Sequence, residues 1–321
     1  MQARILAGID EAGLGPMLGP LALGVCALRL DQPVEESTSR ELWTWLDEAV
    51  CFRPERGDSR LVVADSKAVF QRSPLGWQRL ESTALAFLGL AQGPADDLRS
   101  YLVADQGPLA APWYQALPTS LPIVVTGQTL QDHRARLERA LAARRIEAVW
   151  SGVRLLSAQE LNRSFQRTGS KAATAWQAIV GLLAELMQRF GSQGVYAIVD
   201  RQGGRKLYGD LLARDFPGHG VRAEREGAER SDYWVYGPQG DLWVSFRVGA
   251  ENESLPTAAA SCFAKYAREV SMEAFNRYFA GRLSGLKPTA GYVTDGRRWM
   301  ADAGPALVDA PWASGDLVRE R

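Results

Sequence analysis

The feature that most constrains this chain is a pair of adjacent carboxylates, Asp10 and Glu11, at the end of a short apolar run. The run, residues 5–9, leads into a loop rich in glycine and proline, residues 12–20. An apolar run bounded in this way is typical of a buried strand. Acidic side chains are uncommon in strands and rarely buried. Two explanations are open: the strand ends in a solvated turn, or the carboxylates hold a hard cation through their oxygens.

The composition narrows the class of protein. The 321 residues, 46% hydrophobic and 23% charged, are enough for one large core or two ordinary ones. Lys plus Arg and Asp plus Glu number 37 each, so net charge does not indicate a nucleic-acid partner, and such a surface would be a local patch. Three scattered cysteines and two histidines argue against a disulfide framework, a zinc cluster or a Ser-His-Asp triad.

No signal peptide and no membrane-spanning run of about 18 apolar residues is evident in the sequence, so we expect a cytoplasmic protein without a membrane partner. Apolar patterns predict strands over residues 5–9, 21–28, 146–156 and 194–199, and hairpins over 219–248. They predict helices over residues 75–92, 130–145, 176–190, 257–280 and 296–303. Because strands and helices do not alternate strictly, we predict an α/β fold with a mixed central sheet flanked by helices.

No change in composition marks a domain boundary. We therefore predict a single catalytic domain over residues 1–321, with insertions near residues 31–58, 93–143 and 209–243. We also expect a monomer.

A second predicted strand also ends in a carboxylate, Asp200. If this strand is a neighbour of the first, Asp10 and Asp200 lie at the same sheet edge. Glu269 lies on the predicted long helix, where it shares a face with Ser261 and Lys265 at steps of four residues. Carboxylates that converge from two strands and a helix repel one another unless a divalent cation neutralises them. Spacing alone does not establish convergence, and a surface carboxylate is the ordinary alternative for each acid.

Such a site suits Mg²⁺, which binds carboxylate oxygens together with water and phosphate oxygens. Two ions about 4 Å apart would generate the nucleophile and stabilise the leaving oxygen of an in-line phosphoryl displacement. A nucleotide-binding loop over residues 13–19 is a weaker explanation, because the Lys-Ser/Thr of a P-loop is missing and the preceding acids would repel phosphate.

The order of the motifs resembles that of prokaryotic ribonuclease HII. Residues 8–20 are similar at nearly every position to the family signature Gly-Ile-Asp-Glu-Ala-Gly-Arg-Gly-Pro and the Gly-Pro that follows it. Further similar segments follow in order: Asp65-Ser66-Lys67, Glu160-Leu161-Asn162, Ile198-Val199-Asp200, Ala258-Ala259-Ala260-Ser261 with Ala264-Lys265 and Arg268-Glu269, and Gly291-Tyr292-Val293-Thr294. The resemblance runs from residue 5 to about residue 305.

The resemblance implies an RNase H-like fold and a metal-dependent endonuclease. Its substrate would be the RNA strand of an RNA–DNA hybrid, or a ribonucleotide embedded in duplex DNA. By position, Asp10, Glu11, Asp200 and Glu269 would be the catalytic acids that hold Mg²⁺ or Mn²⁺, with two ions in the active complex.

The resemblance also implies a set of substrate-binding residues. Gly13 and Gly15 would present backbone amides to the sugar and phosphate, because glycine allows a close approach. Tyr292 would stack near the junction sugar. Lys67 and Lys265 would either contact phosphate or supply positive charge behind the metal ligands.

Three positions depart from the family pattern. Leu14 stands where the family has the arginine of Gly-Arg-Gly, which leaves open the preference for a hybrid or a junction. Glu269 stands for an aspartate, and Arg201 for the glycine after the third acid. A weakly active or inactive relative that binds hybrids or structured nucleic acid is the alternative. Carboxylates at all of the family's acidic positions favour an active enzyme.

Overall fold

A computed structural model describes residues 2–104, 106–107, 109–201, 203–307 and 314–320. The strands are β1 (Ile5–Ala12), β2 (Leu21–Leu30), β3 (Val50–Cys51), β4 (Leu61–Val62), β5 (Ile146–Leu156), β6 (Val195–Asp200), β7 (Gly220–Glu226), β8 (Arg230–Gly237) and β9 (Gly240–Arg247). The α-helices are α1 (Thr38–Trp45), α2 (Ser66–Val69), α3 (Pro74–Gln92), α4 (Gly127–Ala143), α5 (Ala158–Thr168), α6 (Lys171–Phe190), α7 (Gly209–Asp215), α8 (Leu255–Ala280), α9 (Val293–Leu307) and α10 (Ser314–Leu317). Short 3₁₀ turns lie at Leu98–Tyr101, Pro112–Ala116, Gly191–Gln193 and Ala250–Asn252.

A seven-stranded mixed sheet in the order β5-β2-β1-β6-β9-β8-β7 forms the centre of the fold. Strands β1, β2 and β5 are antiparallel neighbours, whereas β6 lies parallel to β1 and β9 lies parallel to β6. Strands β8 and β7 complete the sheet by antiparallel pairing. Because β1, β6 and β9 run in the same direction, their carboxyl ends meet at one edge of the sheet.

Helix α8, 26 residues long, packs closely against β1 and β2. Two glycines in these strands make the approach possible. A Cβ atom at Gly8 would lie 2.1 Å from the backbone nitrogen of Thr257, and one at Gly24 would lie 2.0 Å from the carbonyl oxygen of Ala260. The small residues at the start of α8 therefore serve close packing, and α6 packs on the sheet as part of a second apolar cluster.

The predicted α/β fold with a mixed central sheet flanked by helices is confirmed. The predicted antiparallel second strand is β2, and the hairpin with a turn at residues 237–240 joins β8 to β9. Helix bounds differ from the predictions by a few residues, because local capping residues set the ends. Ser254, for example, accepts a hydrogen bond from the amide of Thr257 and begins α8 two residues early.

The single-domain organisation stays a prediction. Of the three segments predicted as insertions, residues 209–243 contribute α7 and extend the sheet by β7 and β8. Within the described ranges, no helix combines the length and the apolar character needed to cross a membrane.

We expect Gly8→Ala to lower the free energy of unfolding by about 3 kcal/mol, because the added methyl group would collide with the backbone at Thr257. Urea unfolding measures the change. Gly127→Ala is the matched control, since no atom lies within 4 Å of a Cβ there. Equal losses in the two variants would contradict the close approach of α8 to the sheet.

Candidate active site

Asp10 and Asp200 lie side by side at the carboxyl edge of the sheet. Ile9 of β1 pairs with Val199 of β6, and Asp10 and Asp200 are the next residues of these two strands. Burial raises the pKa of Asp10 well above its ordinary value, and the negative charges of Asp200 and Glu11 raise it further. A hydrogen bond with the Ser261 side chain acts in the opposite direction. This contact joins α8 to the acidic cluster.

Asp200 connects the cluster to the turn before α8. Its Oδ1 atom accepts a hydrogen bond from the Ala250 amide at 3.0 Å, and its side chain shares a hydrogen bond with Glu251. Burial raises the pKa of both carboxyl groups, and for Glu251 the charges of Asp200 and Asp65 add to the effect. Two carboxyl groups that share a hydrogen bond favour a proton between them. Glu251 is therefore a third acid of the site, partly buried like Asp200.

Glu251 is an alternative to Glu269, the predicted fourth metal acid, which stays a prediction. Glu269 lies eight positions beyond Ser261, which is about 12 Å along a helix. Its Oε1 atom accepts a hydrogen bond from Lys265 Nζ at 2.6 Å and lies 3.4 Å from Arg268 Nη1. The charge of Glu269 is thus balanced on α8.

A signal for Glu251 exists in the sequence. Glu251 comes four residues after the apolar run of β9. In a similar way, Glu11 follows the apolar run of β1, and Asp200 ends that of β6. The signal requires β9 to lie parallel to β6, and the prediction of hairpins over residues 219–248 did not include this pairing.

The donor set fits a hard divalent cation. Asp10, Glu11, Asp200 and Glu251 supply oxygen ligands of the kind that Mg²⁺ and Mn²⁺ prefer. The Oε2 atom of Glu251 is buried without a hydrogen-bond partner, as expected for an atom that serves an ion. Across the described residues, no three acidic, histidine or cysteine side chains already meet at metal-binding spacing.

The glycine loop after β1 presents open backbone beside these acids. Gly13 has a φ of +91°, and a Cβ atom there would lie 2.3 Å from Arg268 Nε, so both conformation and space require glycine. A Cβ at Gly15 would meet nothing within 4 Å, which leaves its backbone accessible to a ligand. The loop is held by the amide of Met17, which donates to the Gly291 carbonyl at 2.8 Å. Leu14 packs against the apolar cluster that contains α6.

The remaining predicted substrate residues fall into two groups. Lys67 is exposed on α2, and its charge lowers the pKa of Glu251, which places it beside the acids. Lys265 lies further along α8, and Tyr292 directly precedes α9. Lys265 Nζ is paired with Glu269 and lies 4.9 Å from the centre of the Phe70 ring. The Tyr292 ring is 51% exposed and lies 5.6 Å from the Arg268 guanidinium.

Arg201, which departs from the family pattern, has a structural explanation. Its guanidinium is buried and donates to the carbonyls of Gly227 and Ala228 and, at 2.8 Å, to the Ser231 hydroxyl. These contacts fasten the turn between β7 and β8 to the strand that ends in Asp200. A glycine at position 201 could not hold this turn.

Comparison with known proteins gives similarity in fold only. No protein-family model matches the sequence, and no curated protein matches it. The PCNA:RNase HII complex structure from Archaeoglobus fulgidus matches over 99% of this chain and 94% of its own, with 13% identity and a TM-score of 0.41. The Aquifex aeolicus RNase H3 structure matches over 99% and 72%, with 13% identity and a TM-score of 0.40. The ribonuclease H2 of Pyrococcus horikoshii OT3 matches over 98% and 92%, with 15% identity and a TM-score of 0.40.

The chain's own side chains therefore decide what the site can do. We expect Mg²⁺ or Mn²⁺ to raise the melting temperature of the unmodified protein, because bound cations relieve the repulsion among the buried acids. At a free ion concentration of 100 times Kd the gain is about 2.7 kcal/mol. Asp10→Asn and Glu251→Gln should lose this response, and Asp10→Asn should be more stable than the unmodified protein without metal. Thermal unfolding with and without the ion measures both effects.

Glu269→Gln is the matched control, because Glu269 is paired with Lys265 on α8. It should keep the full response to the ion. If the response to the ion were lost in Glu269→Gln and kept in Glu251→Gln, the fourth metal acid would be Glu269.

Proposed function

We propose that this protein is a divalent-metal-dependent ribonuclease H that hydrolyses the RNA strand of RNA–DNA hybrids or cuts at ribonucleotides embedded in duplex DNA. The observation that carries the proposal is the cluster of Asp10, Asp200 and Glu251 at one sheet edge, beside an open glycine loop. The ordered motifs that resemble ribonuclease HII support the choice of substrate.

The acids supply the catalytic centre. Asp10, Glu11, Asp200 and Glu251 would hold Mg²⁺ or Mn²⁺, with two ions in the active complex. When bound, the cations would supply an activated water and charge stabilisation of the leaving oxygen for an in-line phosphodiester hydrolysis. Asp200 and Glu251, whose side chains share a hydrogen bond, would both hold the cations as carboxylates.

The glycine loop and its neighbours would bind the substrate strand. The exposed backbone at Gly15 and the constrained backbone at Gly13 can approach a ribose and its phosphate closely. The 2′-hydroxyl is the group that distinguishes RNA from DNA at such a site. Lys67, beside the acids, would contact a phosphate, and the exposed ring of Tyr292 would stack near the junction sugar.

The proposal extends to the organisation of the protein. We propose one catalytic domain over residues 1–321, active as a monomer on a hybrid or a ribonucleotide-containing duplex. Lys265 supports substrate binding indirectly, because its ammonium group is paired with Glu269.

We expect the protein to cleave a labelled RNA–DNA hybrid and a duplex with a single ribonucleotide, in the presence of Mg²⁺ or Mn²⁺. Asp10→Asn and Glu251→Gln should each reduce cleavage by more than about a hundredfold, since loss of groups that merely support metal ligands already costs 10- to 100-fold. Gel analysis of the labelled strands measures the rates.

Two further measurements complete this test. Glu269→Gln should keep the metal requirement and most of the activity. Asp10→Asn should still bind the hybrid, since the glycine loop is unchanged. Binding of the hybrid without cleavage under either metal would instead identify an inactive relative that binds nucleic acid.

We expect Leu14→Arg to raise cleavage at the single-ribonucleotide junction relative to cleavage of the hybrid. The substitution adds a positive charge between Gly13 and Gly15, where a backbone phosphate of the junction would lie. The ratio of the two rates is the measurement. An unchanged ratio would show that position 14 does not set the preference.

A further inference from the structure

The glycine loop is held from a distant part of the chain. The segment at residues 315–320 lies against it: Val318 forms a β-bridge with Leu18, and the amide of Arg319 donates to the Met17 carbonyl at 2.9 Å. The segment is itself fixed to α5 by Asn162. The Asn162 side-chain amide donates to the carbonyls of Gly315 and Val318 and accepts from the Glu320 amide, at 2.7–2.8 Å.

Arg319 makes the closest contacts with the loop. Its Nε atom donates to the Gly19 carbonyl at 2.7 Å, and its Nη1 atom donates to the Gly13 carbonyl. One guanidinium group thereby joins the two ends of the loop. The side chain is only 6% exposed, and its Nη2 atom is buried without a hydrogen-bond partner.

The charge of Arg319 has no acidic partner among the described residues. Burial, together with the nearby positive charge of Arg268, lowers the pKa of Arg319 to about 9. Burying an unpaired cation is costly, and a neutral side chain could fill the same space. The arrangement is therefore better explained by what the charge does at the loop than by stability.

The position of Arg319 indicates what its charge does at the loop. Arg319 and Arg268 lie on the protein side of the loop, next to Leu14, which stands where the related family has an arginine. A guanidinium only donates hydrogen bonds. Because the Arg319 guanidinium donates to two carbonyls, the oxygens of those peptide groups face inward. Neighbouring amides are then free to face a ligand, in a region of positive potential.

We propose that Arg319 is a positioning residue for the substrate: it fixes the carbonyls of Gly13 and Gly19 and supplies, from behind the loop, the positive charge that Leu14 lacks. The substrate group that it favours is a backbone phosphate of the nucleic-acid strand. This inference rests on the proposed function, because it assigns a part of the same substrate site.

Steady-state kinetics on the RNA–DNA hybrid tests the inference with Arg319→Ala, Arg319→Lys and Glu320→Ala. Arg319→Ala should raise KM about 10- to 100-fold and change kcat by less than about threefold, because the acids are untouched. Arg319→Lys keeps the charge but cannot bridge two carbonyls, so it should recover part of the loss. Glu320→Ala, in the same segment, should match the unmodified protein.

The outcomes separate the two proposals. If the unmodified protein cleaves neither substrate, the proposed function fails. If it cleaves and Arg319→Ala leaves KM unchanged, or lowers kcat as much as kcat/KM, the inference fails. Hydrogen exchange at the amides of residues 13–19 in Arg319→Lys covers the case in which Arg319→Ala does not fold. Faster exchange there, with a higher KM, supports the role, and unchanged exchange overturns it.

Discussion

The close approach of α8 to the sheet is the contact on which the site depends. Gly8 leaves room for the helix start at Thr257, whose hydroxyl donates to the Ile198 carbonyl of β6 at 3.1 Å. This docking sets the depth of α8, brings Ser261 to Asp10, and holds the preceding turn against Asp200. A larger side chain at position 8 would displace α8, and the acids held by α8 would be displaced with it.

The buried acids oppose the stability that this packing provides. Each carboxylate at the sheet edge loses hydration, and its neighbours carry the same charge. The fold tolerates them because β1, β6 and α8 are fixed by apolar contacts away from the edge.

The sequence predicts some parts of the site better than others. Asp10 and Asp200 are visible because each ends an apolar run, and strand ends are local features. Glu251 becomes visible only when β9 is known to pair in parallel with β6. Glu269 is predicted from the motif resemblance, and helix spacing shows which residues share its face but not how far along the helix the sheet edge lies. Arg319 leaves no local signal, since its partner Gly19 is 300 residues away.

That separation also affects the order in which the protein assembles. Strands β1 and β2 can pair as soon as they are synthesised, because they are neighbours in the chain. The acids require the chain up to α8, which ends at Ala280, and the glycine loop is joined at both ends only when Arg319 arrives. The acidic centre can therefore form on the growing chain before the loop that would present a substrate to it is complete.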